Sequence, residues 1–498
     1  MATTRERAES HAYENRRRTT GLTRGADEAL RDPRRRLNRS LAGGVAVGVL
    51  IMAGFGIAGW LGGGRGPELP GNGAVVVSGS GDRYVVSDGT VHPALNLASA
   101  LLVGGGQLTE VRSEALRTAP RGLPVGIPAA PDALPGTGDL SQDAWTVCTV
   151  PGQDTDQRPE TALYVAVPQA APATRSGAPA PSATVLVRAP GDDLWLLTEG
   201  RRHLLPENLR GALGLQRTEP LPLPDALLAT VPEGPALTTP ETERGGAPDV
   251  PLPVPAAVGD LAHSDLGGVS PQYHVVRADG LAAVSELVYT LLRTTGVTEH
   301  RLTPAQAAAA ARSAAPAPGD PAWPERLPKA RQPDRNGPLC VSTPPGSTPG
   351  DTAWEATVHL PARMPAPEGL TPVAPADGTA LGPVDRVYVP AGRGALVRAS
   401  ASAGSGGTHT LVTDSGTAYP FASAEAVERL RYRPQDAPTV PKPFVALLPQ
   451  GPVLDPRAAA VEQRGRYTDG PGAGADADAG VDADPGAPGE DSSEGEGS

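Results

Sequence analysis

From Leu41 to Leu61 the chain reads LAGGVAVGVLIMAGFGIAGWL, twenty-one residues without a charged or strongly polar side chain. A helix of that length rises about 30 Å and matches the hydrocarbon core of a bilayer. Arg31, Arg34, Arg35, Arg36 and Arg39 precede it, only Arg65 stands close behind it, and Trp60 closes it at the depth where indole rings gather. The arginine bias predicts a cytoplasmic N-terminal segment, a single membrane anchor over 41–61, and export of everything that follows. A cleaved signal peptide is the competing reading. A forty-residue charged lead is too long for its n-region, and the apolar run exceeds an h-region. Gly44 and Gly48 form a GxxxG pair that would let a second helix approach closely, although Gly is frequent in membrane helices in any case.

A length of 498 residues exceeds one ordinary core. With 61 Gly and 57 Pro, near a quarter of the chain, and 3% aromatics, the composition predicts compact units separated by irregular linkers. Residues 168–184 and 313–322 are Ala/Pro/Ser-rich and cannot hold a core, whereas Pro120–Pro135 is Pro-punctuated yet apolar, an ordered connector. A net charge of −12 disfavours nucleic acid as a partner, since no basic face could neutralise phosphates. The charge is also uneven: residues 1–40 carry eleven Arg against six Asp or Glu, and Asp469–Ser498 carries nine acidic residues and no basic one. That asymmetry points to topology and to a disordered acidic tail.

A motif recurs four times. Tyr84-Val85-Val86-Ser87-Asp88-Gly89-Thr90-Val91-His92-Pro93 precedes ALNLASALL, and Leu194–His203 with Glu199-Gly200 precedes LLPENLRGAL. Tyr273–Gly280 with Asp279-Gly280 precedes LAAVSELVYTLL, and Thr410–Pro420 with Asp414-Ser415-Gly416 precedes FASAEAVERL. β-Branched and aromatic residues favour a strand, and an acidic residue followed by Gly supplies the positive φ of a two-residue hairpin turn. In the third copy Val284, Leu287, Val288 and Leu291 stand at i, i+3, i+4, i+7, an apolar helical stripe, which Leu209 and Leu213 repeat more weakly in the second. Each unit is a hairpin laid on a helix, too small to bury its own core. The glycines at 89, 200, 280 and 416 are unevenly spaced, which excludes a tight solenoid. His92 and His203 fall at one offset, with Ala283 and Tyr419 in the other copies, so the position wants a ring or an apolar group rather than a proton carrier.

Cys148 and Cys340 cannot make a structural zinc site alone, and no histidine lies at ligand spacing from either. In an exported domain a single disulfide closing a loop of about 190 residues is the natural use; two buried free thiols are the alternative. No cofactor is expected. A P-loop needs a lysine after a Gly-rich turn, and the chain's two lysines, Lys329 and Lys442, sit in Leu-Pro-Lys-Ala-Arg and between two prolines. GxSxG and HExxH are absent. Arg201 and Arg202 are the candidate phosphate contacts of an atypical nucleotide site without a P-loop.

The arginine-rich lead with Asp32-Pro33-Arg34-Arg35-Arg36-Leu37, the single anchor, RYVVSDGTVHPALNLASALL (83–102), PRGLPVGIPAAPDALP (120–135), WTVC (145–148), GRRHLLP (200–206), GPLC (337–340) and DRVYVPAGRGALVRA (385–399) together resemble the EccB family of the actinobacterial type VII (ESX) secretion system. The resemblance implies a single-pass transmembrane helix plus an elongated, β-rich α+β extracytoplasmic region with a central domain, four hairpin-helix repeat units and one disulfide, Cys148 and Cys340 occupying the family's positions. It implies a structural membrane subunit of the translocon, partnered by EccC, EccD, EccE and the mycosin protease MycP and by copies of itself. Some relatives carry an ATPase label.

The expected division is cytoplasmic segment 1–40, anchor 41–61, first unit and connector 62–135, central domain 136–190 and 301–400, second unit 191–240, third unit 241–300, fourth unit with return segment 401–462, and acidic tail 463–498. The structural residues are the two cysteines and the turn glycines Gly89, Gly200, Gly280 and Gly416. The alternative from another class is a peptidoglycan-binding module using exposed aromatics, against which Tyr84, Trp195 and Tyr273 sit on strands that must bury one face.

Overall fold

The computed structural model describes residues 3–24, 33–61, 69–150, 159–172, 182–265, 271–326, 329–334, 337–344, 354–375 and 379–463. Arg65, most of the 168–184 linker and the acidic tail from 464 lie outside the described residues. The chain divides into two compact units, one comprising the segment to Pro70 with Val76–Gly81 and Thr109–Ala119, the other the remainder.

The first unit contains helices α1 (Thr4–Arg24) and α2 (Pro33–Leu61). Pro33 opens α2 at a position where a missing N–H costs nothing, so the helix begins eight residues ahead of the apolar run and carries Arg34, Arg35, Arg36 and Arg39 on its first turns. Leu50 and Phe55 on α2 are 71% and 78% exposed. Among the described residues no helix is long and apolar enough to cross a membrane; the side chains of 56–61, the end of the expected span, lie outside them.

The described chain after Pro70 is built from sheets. Strands β1 (Gly73–Val77), β2 (Arg83–Ser87) and β3 (Thr90–Pro93), helix α3 (Leu97–Val103) and β4 (Leu108–Val111) give a sheet of order β3-β2-β1-β4. Next come β5 (Trp145–Val150) and β6 (Glu160–Tyr164). A second sheet, β9-β8-β7-β10, uses β7 (Val185–Arg188), β8 (Leu194–Thr198), β9 (Arg201–Leu204) and β10 (Leu221–Pro222), followed by α4 (Asp225–Leu228). A third, β13-β12-β11-β14, uses β11 (Leu261–Ser264), β12 (Gln272–Arg277), β13 (Gly280–Val284), α5 (Glu286–Arg293), β14 (Glu299–Leu302) and then α6 (Pro304–Ala309). Strands β15 (Leu339–Thr343), β16 (Thr357–His359) and β17 (Arg386–Tyr388) join the earlier pair in a five-stranded sheet of order β16-β15-β5-β6-β17. The last sheet, β20-β19-β18-β21, uses β18 (Ala395–Ser400), β19 (Gly407–Val412), β20 (Ala418–Pro420), α7 (Ala424–Arg429) and β21 (Thr439–Pro441), with α8 (Lys442–Ala446) and α9 (Pro456–Ala459) after it. The architecture is a β-rich α+β fold.

The four-stranded sheets share one strand order. In three of them the fourth strand pairs parallel to the first: β10 with β7, β14 with β11, β21 with β18. In all four the chain then returns to the hairpin's outer strand through a parallel bridge, Val91 with Arg121, Arg202 with Glu233, Leu281 with Arg312, and Ala418 with Gln450; the first and fourth add a second, Ala94 with Val125 and Phe421 with Leu454.

Packing pairs these elements. Leu101 and Leu102 of α3 share a core with Leu411, Phe421, Val427 and Leu454. Leu186, Leu196 and Leu237 share another with Val275, Leu287 and Leu291. The five-stranded sheet contributes Trp145, Leu163, Val341 and Val387 to a third, with Val187, Leu197, Val397 and Phe444. Helix α5 shows why: Ser285 caps it by accepting from the Val288 N–H, and it buries Leu287, Leu291 and Leu292 on one face. Each such leucine is worth roughly 1.5–3 kcal/mol. Val284, expected on the helical stripe, is instead the last residue of β13, because the cap at Ser285 starts the helix after it.

Candidate functional site

Cys148 on β5 faces Cys340 on β15 directly across the antiparallel pair, with the Cα atoms 4.1 Å apart, and the two are disulfide-bonded across 192 positions of sequence. Direct opposition at a non-hydrogen-bonded pair brings Cα atoms close enough for such a bond. Both residues are 0% exposed, packed with Ala162, Val167, Met364 and Leu370. Beside them Tyr164 stacks on Tyr388 at 4.6 Å and donates to the Pro365 carbonyl at 2.6 Å. Burial holds the Tyr164 phenol well above its ordinary pKa. Among the described residues no group of His, Cys, Asp and Glu could hold a metal ion.

The turn glycines are not equivalent. Asp88-Gly89 and Glu199-Gly200 have φ of +49 and +74, and +48 and +74, and close Ser87 on Thr90 and Thr198 on Arg201. Positive φ at both central residues is the hairpin geometry of a type I′ turn. The expectation of an Asp279-Gly280 turn is corrected: Gly280 pairs with Arg277, so the turn is Ala278-Asp279 and Gly280 opens β13. Its φ of +139 has another purpose, since a methyl there would overlap the Ala311 carbonyl of the returning segment. In the fourth copy the two-residue turn is also corrected. Val412 pairs with Ala418, which leaves 413–417 as the loop, closed by Gly416 N–H donating to Thr413 O at 3.0 Å. The serine between Asp414 and Gly416 lengthens it.

The shared histidine offset has a clear geometry. A Cβ at Gly122 would enter the His92 ring, one at Gly234 the His203 ring, and one at Gly451 the Tyr419 ring. His92 and His203 donate from Nδ1 to the carbonyls of Leu123 and Pro235 at 2.9 and 2.8 Å. Burial, followed by the nearby Arg201 charge, outweighs that bond and holds the His203 pKa down. The bridges place Ala282, not Ala283, at this position of the third copy, because Gly280 enters the strand instead of the turn. Sequence reasoning missed the glycines beneath the rings. Their signal is Gly122-Leu123-Pro124-Val125, Gly234-Pro235-Ala236-Leu237 and Gly451-Pro452-Val453-Leu454, each about thirty residues behind its ring.

Of the two arginines named as candidate phosphate contacts, Arg202 is engaged. Arg202 pairs with Glu233 at 2.9 Å and lies 5.0 Å above the Trp195 ring. Arg201 lines a cleft of about 280 Å³ that also contains Glu233, whose carboxylate opposes an anion. Lys442 opens α8 directly after Pro441 and Lys329 is exposed, so neither follows a Gly-rich turn into a helix. Tyr84, Trp195 and Tyr273 are each half-buried.

A larger cleft of about 580 Å³ lies beside β13, lined by Tyr273, His274, Ala283, Glu286, Arg312, Glu325 and Arg326 among others. His274 is 1% exposed, and its Nε2 accepts from Arg312 at 2.9 Å. The proton therefore sits on Nδ1, which has no partner. Burial first, and then the Arg312 charge, lowers the His274 pKa to about 4.

The family model for the type VII secretion system ESX-1 transport TM domain B, EccB, matches residues 1–465. The chain belongs to the EccB family. It is 32% identical over 307 residues to the ESX-3 secretion system ATPase EccB3 of Mycolicibacterium smegmatis, covering 59% of this chain and 57% of that one. It is 32% identical over 276 residues to the ESX-1 secretion system ATPase EccB1 of Mycobacterium tuberculosis, covering 53% and 55%. These matches span about half the length of those relatives. Among solved structures, the EccB3 dimer from the ESX-3 core complex matches at TM-score 0.62 and 27% identity, covering 78% of this chain and 100% of that one. A chain of the intact ESX-5 inner membrane complex shares the fold at TM-score 0.60 and 24% identity, covering 93% and 96%.

Proposed function

We propose that this EccB-family chain is a structural, single-pass subunit of a type VII translocon whose exported body shapes the extracytoplasmic side. The observation that carries the reading is the whole-body likeness to a chain solved as a dimer from an ESX core complex. A second likeness, at 25% identity and TM-score 0.58, is to the periplasmic assembly of an ESX-5 inner membrane complex. The apolar run 41–61 and its arginine flank support an anchor with the N-terminus inside. Adding a methyl at Gly44 or Gly48 meets nothing within 4 Å, which leaves that face of α2 open to a neighbouring helix. The shared strand order and the four return bridges support reading the four-stranded sheets as copies of one unit grouped round a central domain. On this reading the partners are EccC, EccD, EccE, MycP and further copies of the chain.

The test is affinity purification of the tagged chain from native membranes in mild detergent. Co-purification of an FtsK-like ATPase and a multi-spanning subunit supports the scaffold. A lone chain retained by peptidoglycan overturns it. The ATPase named in the relatives is tested separately: Arg202→Ala should leave any ATP turnover of the purified complex unchanged.

A further inference from the structure

Three of the four hairpins have their outer edge closed by the chain itself. After the bridge, Val125, Leu237 and Leu454 donate their N–H groups to the carbonyls of Pro93, Leu204 and Pro420 at 2.8, 2.9 and 2.8 Å. Each donor lies three residues beyond the glycine or its equivalent, and their side chains are 4%, 0% and 0% exposed. In the third sheet the bridge forms in the same way, Leu281 N–H donating to Ala311 O and Ser313 N–H donating to Leu281 O. Three residues beyond Ser313 stands Pro316, which has no N–H. The segment departs instead toward Asp279, whose carboxylate accepts from the Ala314 N–H at 3.0 Å.

The equivalent carbonyl is that of Ala283. It points the same way as that of Leu281, since alternate residues of a strand face alternate sides, and among the described residues no segment outside the strand ladders donates a backbone N–H to it. Ala283 is exposed where Pro93, Leu204 and Pro420 are half-buried. The 580 Å³ cleft occupies this gap, bounded at its far end where Glu286 N–H meets Glu325 O at 3.0 Å. His274, nine-tenths buried and more, is part of its lining, and the His274 Nδ1 is buried without a partner. We infer that the open edge of β13 receives a short extended peptide from a partner protein, running parallel to Gly280–Val284 and presenting an apolar, non-proline residue to Ala283. The three sister sheets specify that chemistry, because each is closed by an apolar residue donating one N–H. The cleft carries two glutamates and two arginines, so it has no net charge to select an anion, and backbone pairing decides. The inference rests on the geometry of the four sheets and not on the translocon reading, so either can fail alone.

The test uses the purified full-length chain in detergent and a labelled synthetic peptide, Gln-Gly-Pro-Val-Leu-Asp-Pro, the chain's own 450–456 closing sequence. Fluorescence anisotropy should show saturable binding. The same peptide with proline in place of its leucine should bind at least tenfold more weakly, as should wild-type peptide to Ala283→Trp, which fills the cleft from an exposed position. Pro316→Leu restores the missing donor and should also weaken binding by letting the chain close its own edge. Circular dichroism melting of each variant confirms that it folds, and the peptide substitution is independent of protein folding. Absence of saturation, or equal binding of the leucine and proline peptides, overturns the inference. So does a change in self-association of Ala283→Trp by light scattering without peptide binding, which would assign the edge to a second copy.

Discussion

Gly89 and Gly200 have the same φ, +74, yet different surroundings. An added methyl at Gly89 meets nothing within 4 Å, whereas at Gly200 it overlaps the Ala356 carbonyl. Replacement by alanine should therefore cost about 1–2 kcal/mol at Gly89, the penalty of left-handed backbone alone, and clearly more at Gly200, where backbone must also shift; chemical denaturation of the two variants measures the difference. His274 makes a second residue-scale prediction. Its folded pKa, about 4, lies below the ordinary 6.5, so the unfolded chain binds the proton first and stability falls as pH drops from about 6.5 towards 4. Each such group adds a slope of up to about 1.4 kcal/mol per pH unit in that window. His274→Gln should flatten melting temperature against pH there without abolishing the dependence, because His203 and His359 are also held down, first by burial. Parallel profiles for the two proteins would refute the assignment.

At the scale of elements, local chemistry and long-range pairing diverge. The hairpins were legible because Asp88-Gly89 and Glu199-Gly200 encode their own turns. Helix α5 was legible for a similar reason, although the Ser285 cap moved its start past Val284. The Gly280 position misled because a glycine needed for close approach of Ala311 looks, in sequence, like one needed for a turn. The pairing of β5 with β15 was not encoded locally at all: strands separated by 192 residues meet through burial, and only their cysteines marked the partnership. Alkylation without reductant should label no thiol in the mature protein. Replacing Cys148 and Cys340 by serine should cost up to about 5 kcal/mol by chain entropy, read as a lowered denaturation midpoint.

For the whole molecule, the testable quantity is topology. An alkaline phosphatase fusion after Arg466 should be active and a green fluorescent protein fusion there dark, with the reverse pattern for fusions ahead of α1; an active phosphatase ahead of α1 would contradict an anchored N-terminus inside. The apolar run, read against its arginine flank, made that expectation available from sequence, whereas the grouping of sheets one with four and two with three depends on side chains that meet only after collapse.

The five-stranded sheet draws β5 and β6 from one stretch and β15, β16 and β17 from another, with two whole sheets laid down in between. Synthesis delivers the early stretch first, so Trp145 and Val147 wait without their covering strands while nearly two hundred residues follow. During that interval Cys148 has no mate within the polypeptide, and any thiol it meets belongs to a stranger. Once Cys340 arrives only one intramolecular bond can be made, so maturation of this protein should call for an oxidant, and for thiol exchange only where Cys148 has already bonded to another chain.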